Sequence, residues 1–163
     1  VLICRFNPTT MRCIWPPEPD VQIKVAFRYG ERRFLSRLIC WWRGGDSAHC
    51  EVAVGEVGQP MRCITASWLD GGVRHKIMPL PPDKWRIYTV TAEVEPFSWF
   101  DQHEGEKYDF LGLLSFVVSV IRHRKRGWFC SEAAAHIIGL PAAHRFDLVL
   151  LEAVCARYGN RIQ

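Results

Sequence analysis

Polar and apolar positions alternate from Val21 to Tyr29, with Val21, Ile23, Val25, Phe27 and Tyr29 on one side, and this predicts a strand. The period then lengthens. Phe34, Leu35, Leu38, Ile39 and Trp42 recur at helical spacing over 31–42, ahead of Gly44-Gly45-Asp46. Alternation returns in Ser47-Ala48-His49-Cys50-Glu51-Val52-Ala53-Val54. Cys50, Val52 and Val54 take one face there, and His49, Glu51 and Ala53 the other. A turn at Gly58-Gln59-Pro60 leads to a strand over 61–68, and Asp70-Gly71-Gly72 makes a tight turn into a third over 73–78. Pro79, Pro81 and Pro82 stop that run; 84–95 gives a further strand with Trp85, Ile87 and Thr89 on one face.

The second half reads as helices. One covers 98–103, and another begins after Gly105, with Asp109 near its start and an apolar run over 110–121. That run is well short of a bilayer span, so it is expected to be a buried helix rather than a transmembrane segment. Arg122-His123-Arg124-Lys125-Arg126 follows as a basic loop or solvated helix end. Trp128-Phe129-Cys130-Ser131-Glu132 then opens a helix whose apolar positions are Ala133 to Ala135, Ile137 and Ile138, and Gly139-Leu140-Pro141 stops it. A last helix is expected over 146–158. Residues 1–20 carry four prolines without periodicity, so they are expected to form an irregular N-terminal arm. Residues 21–163 are expected to form one domain ending in that C-terminal helix. Strands first and helices afterwards predict an α+β fold, an antiparallel sheet packed against helices.

Composition narrows the function. The chain has 163 residues, 48% of them hydrophobic, and seven tryptophans and nine phenylalanines supply large packing units. A net charge of +4 falls short of a nucleic-acid signature, although it suits an anionic polymer or membrane surface. Seven scattered cysteines contain no C-x-x-C pair, which argues for reduced thiols rather than a disulfide framework or zinc knuckle. His49 and Cys50 are adjacent on a strand and point to opposite faces, so no metal site and no cofactor are expected. Val1-Leu2-Ile3-Cys4 is too short for the apolar part of an export signal, and the expectation is cytoplasmic synthesis without a signal peptide.

The chemistry gathers at Cys130. A sulfur in the first turn of a helix meets unpaired backbone N–H groups and the positive end of the dipole, both of which favour thiolate. A matching base is His49, with Glu51 two residues along the same strand face to hold the imidazole. Taken singly, a cysteine near a helix start is more often a small buried residue, and a lone histidine is usually structural.

Four segments together resemble the circularly permuted branch of the NlpC/P60 papain-like cysteine hydrolases, the branch that also includes YiiX-like and LRAT-like proteins. They are Ser47-Ala48-His49-Cys50-Glu51, the turn from Ser67 through Trp68-Leu69-Asp70-Gly71-Gly72 to Val73, Gly105-Glu106-Lys107-Tyr108-Asp109, and Trp128-Phe129-Cys130-Ser131-Glu132. In that branch the histidine strand precedes the cysteine helix. The resemblance spans about residues 21–140 and implies a papain-like fold with a thiolate nucleophile. By position, Cys130 matches the nucleophile, His49 the base, and Tyr108 a tyrosine near the thiol that assists the oxyanion. The third polar residue stays open among Glu51, Thr65 and Ser67, with Glu51 preferred; Ser67 and Trp128 are also expected to contact substrate.

The function that follows is a thiol hydrolase cleaving amide bonds of peptide or peptidoglycan type through an acyl-enzyme. The alternatives are a lipid-directed thioesterase or acyltransferase of the same fold, and an inert phage structural or host-interaction module. A phage-associated setting is the context expected for so small a protein. Substrate identity and oligomeric state are left open.

Overall fold

The alternating segments assemble into one six-stranded antiparallel sheet, and the helices flank it. The computed structural model describes residues 5–7, 12–14, 21–30, 40–41, 44–110 and 127–163. In chain order the strands are β1 (Arg5–Asn7), β2 (Arg12–Ile14), β3 (Val21–Tyr29), β4 (Ser47–Val54), β5 (Met61–Ser67), β6 (Gly72–Met78), β7 (Trp85–Ala92) and β8 (Asn160–Arg161). Three α-helices occur among the described residues: α1 (Pro96–His103), α2 (Cys130–Ile138) and α3 (Leu148–Tyr158). The large sheet runs β6-β5-β4-β3-β7-β8, so the central strands β3 and β4 are the ones read most clearly from alternation.

The pleat gives the sheet two different faces. Ile23, Val25 and Phe27 of β3, Cys50 and Val52 of β4, and Ile64 and Ala66 of β5 form one face, which packs against α2. Ala133, Ala134 and Ala135 let that helix approach closely, and Ile137 is fully buried. Burial of such a side chain is worth about 1.5–3 kcal/mol. The backbone carbonyl of Ile137 also accepts from the amides of Glu93 and Val94, each at 3.1 Å, so the end of β7 pins the helix. The opposite face holds a second cluster, Ala26, Ala53, Met61, Cys63, Leu80, Trp85 and Ile87.

Local signals account for the helix ends. Glu95 caps α1 by accepting from Ser98 N at 2.6 Å, with Pro96 at the first position. Asp147 caps α3 by accepting from Leu150 N at 2.7 Å. The chain leaves α2 through Gly139 in the left-handed conformation (φ 88°).

Several expectations need correction. Residues 1–20 are not irregular throughout, since β1 and β2 pair antiparallel, Phe6 opposite Cys13. The last helix starts at Leu148 instead of 146, after a short 3-10 turn at Ala143–Arg145, and the chain then returns to the sheet as β8, an element too short to show periodicity. Thr89 is only half-buried, whereas Trp85 and Ile87 are in the core. Most of the helix expected over 31–42, the apolar run beyond Phe110 and the basic segment 122–126 lie outside the described residues; Phe110 itself is 49% exposed. No helix among the described residues is long and apolar enough to cross a membrane.

Candidate functional site

The four sequence segments singled out above converge on Cys130. Their meeting is built largely from backbone. Val73 N donates to Glu106 O at 2.8 Å and Tyr108 N to Gly71 O at 3.3 Å, which lays the 105–109 segment across the start of β6. Trp128 N donates to Lys107 O at 3.1 Å and Asp109 N to Trp128 O at 3.0 Å, which joins the same segment to the residues before α2. Such closeness requires glycine at two places. A Cβ on Gly72 would lie 2.0 Å from Glu106 O, and one on Gly127 would lie 1.9 Å from Lys107 O.

His49 comes from a fork in the sheet. β4 pairs with β3 as far as His49 and Ser47, but with β5 only over Val52 to Val54. Toward Ser47 the strands β4 and β5 part. Thr65 spans the gap by donating its hydroxyl to Cys50 O at 2.8 Å. Register is also irregular between Arg28 and Tyr29, opposite His49. The Ser47 end is anchored from elsewhere: Ser47 Oγ donates to Glu152 Oε2 of α3 at 2.6 Å, and Arg86 Nη2 donates to Ser47 Oγ at 2.8 Å.

Cys130, only 5% exposed, stands beside this fork. Its sulfur accepts from the Cys50 thiol, from the Cys50 backbone amide and from His49. The Cys50 thiol is the largest influence and stabilises the thiolate; burial opposes it, and the hydrogen bond and charge of His49 reinforce it. The balance puts the Cys130 thiol well below its ordinary value. For His49, burial favours the neutral ring, but the hydrogen bonds to Cys130 and Glu51 outweigh it and carry the imidazole up to about 10. Both shifts favour the thiolate–imidazolium form of the pair over the neutral one.

His49 Nε2 donates to Glu51 Oε1 at 2.9 Å, which leaves Nδ1 as the ring nitrogen for the sulfur. Glu51 is fully buried. Arg74 of β6 holds it, Nη1 to Oε2 at 3.1 Å and Nη2 to Oε1 at 2.5 Å. Tyr108 belongs to the same group. Burial first, and then the negative charge of Cys130, raise its phenol well above the ordinary value.

Other expected residues are placed differently. Thr65 gives its hydroxyl to main-chain carbonyls rather than to the imidazole. Ser67 gives its hydroxyl to Asp70. Trp128 is not turned toward a substrate. It is 1% exposed, packs edge-on against Trp99 with centroids 5.0 Å apart, and donates Nε1 to Glu106 Oε2 at 2.9 Å. Of His49, Glu51 and Ala53, the three residues on this face of the strand, Ala53 sits in hydrocarbon. Sequence reasoning missed Cys50 and Arg74, which read as an ordinary core residue and an ordinary strand charge. Among the described residues no group of three or more His, Cys, Asp or Glu side chains is placed to hold a metal.

Comparison of the chain with protein-family models, with curated proteins and with solved structures finds no match.

Proposed function

We propose that this protein is a cysteine hydrolase with a permuted papain-like arrangement, acting at an amide carbonyl of a peptide or peptidoglycan-type substrate. The observation that carries the reading is the contact of Cys130 with His49 inside a shell that favours thiolate and imidazolium. The Cys130 thiolate attacks the carbonyl carbon. The tetrahedral oxyanion takes hydrogen bonds from the Cys130 backbone N–H and the Tyr108 hydroxyl. His49 then gives its proton to the leaving amine as the C–N bond breaks, and the acyl group remains on the sulfur. Water, deprotonated by the now neutral His49, attacks the thioester and releases the acid. Glu51 accepts from Nε2 throughout and keeps Nδ1 aimed at the sulfur.

A second reading, an acyl-ester hydrolase or acyltransferase using the same pair, draws support from an apolar patch near Tyr108. Trp68 is 56% and Leu69 69% exposed in the β5–β6 turn, and the Trp68 and Phe110 rings have centroids 6.0 Å apart. Incubation with peptidoglycan fragments, peptides and acyl esters, with trapped acyl-enzyme measured by intact mass, tests both readings. The expected result is an adduct on Cys130 that C130S abolishes. Adducts from esters alone select the second reading, and no adduct from any carbonyl substrate ends both.

A further inference from the structure

A fully buried carboxylate is costly unless it is paired and hydrogen-bonded, so the partners of Glu51 decide whether it can serve a catalytic histidine. Its partners come from two directions. His49 lies on its own strand face, and the Arg74 guanidinium reaches over Thr65, the register partner of Arg74, to touch both carboxylate oxygens. A two-point contact of this kind fixes the carboxylate plane as well as its charge. Arg74 is aimed in turn. Its Nε donates to Asp70 Oδ2 at 2.9 Å, and Asp70 also accepts from Lys76 and Ser67. Hydrogen bonds from Lys76, Ser67 and Arg74 outweigh the opposing effect of burial and hold the Asp70 carboxyl down to about 2.

Resting on the reading in which Cys130 and His49 form the reactive pair, we propose that Arg74 is a positioning residue of this site. Oriented by Asp70, it locks Glu51 against His49 and so keeps the imidazole turned to the Cys130 sulfur. Charges within the group cancel, with Glu51, Asp70 and the Cys130 thiolate against Arg74, Lys76 and the His49 imidazolium. Without Arg74 the Glu51 carboxylate loses the two-point contact that fixes its plane, and with it the contact that holds the His49 imidazole toward the sulfur. The groups bearing on His49 are Arg28 opposite it on β3, Cys50 and Glu51 on β4, Arg74 on β6, Tyr108 and Cys130. Of these, Arg74 is the cation joined to His49 through a shared carboxylate oxygen.

The test reads the sulfur rather than turnover. In the full chain, the rate of iodoacetamide capture at Cys130 is followed against pH by peptide mass spectrometry. R74M is expected to move the thiol titration up by about one to two pH units, and R74K, which keeps the charge but not the fork, part of the way. E51Q should also raise it, and R74M added to E51Q should raise it little further, because Arg74 acts through Glu51. A folded R74M with unchanged titration, or an R74M shift equally large with and without E51Q, overturns the proposal. If R74M does not fold, R74K decides: a part-way rise supports positioning, and wild-type titration overturns it. A wild-type Cys130 that titrates as an ordinary thiol overturns the Cys–His reading, and this proposal with it.

Discussion

At the Val54 end of β4, Ala53 lies opposite Cys63 of β5 in an unbroken ladder, with hydrocarbon around both. At the Ser47 end the ladder to β5 is gone, and Cys50, His49, Glu51, Arg74 and Cys130 crowd together. Neighbours as well as depth decide which way a buried sulfur goes: even beside Cys130, the Cys50 thiol is pushed well above its ordinary value, by burial first and then by its hydrogen bond to Cys130. Burial, helped by the charge of Glu51, pushes the Cys63 thiol up to about 12, and burial likewise carries Cys155 to about 12. Cys130 is also buried yet goes the other way, because donors meet it from Cys50 and His49. Depth by itself makes a thiol inert. Depth furnished with donors lowers a thiol toward thiolate.

Alkylation should expose this contrast most strongly. Iodoacetamide at pH 7 is expected to modify Cys130 faster than Cys50, Cys63 or Cys155 by several orders of magnitude, as read by peptide mapping of the folded chain. Equal labelling of Cys130 and Cys63 would erase the distinction between the two ends. H49A comes next. It should lower acylation about 10²–10⁴-fold and raise the Cys130 titration, whereas I137A, in the apolar layer, should cost about 2–5 kcal/mol of stability and leave that titration in place. A denaturant melt of each variant run beside its alkylation profile separates the two effects.

The smallest effect is in the pH dependence of stability. His49 has a folded value of about 10 against 6.5 when free, so its contribution is full below 6.5 and disappears as pH rises through 10. Cys130 is lowered from 9.0, so its contribution is full above 9 and disappears as pH falls through its folded value. The wild-type melting temperature should therefore drop near pH 10 by more than that of H49A. Parallel curves for the two proteins would show that the imidazolium is not held.

Alternation made β3 and β4 legible because both strands are central and each face must suit a different layer. Cys130 and His49 were legible as residue types, and Glu51 as the next residue on the face of His49; the structure brings the three into contact. Arg74 was not, since its partner is 23 residues away and two strands over, and strand order cannot be read from periodicity. Thr65 and Ser67 stayed open as orienting residues for the same reason; the parting of β4 and β5 leaves the Cys50 carbonyl to Thr65, and the turn after β5 brings Asp70 to Ser67. Trp128 misled because an aromatic residue near a nucleophile suggests a cleft wall, whereas Glu106 draws its indole inward. The prolines of the first twenty residues hid the β1–β2 hairpin.

The hydroxyl of Thr65 has one more effect. By holding the Cys50 carbonyl where a main-chain amide would otherwise sit, it works as a fixed spacer that keeps two neighbouring strands from zipping together. The gap in the ladder beside the Cys130 sulfur is thus written into the backbone of the sheet.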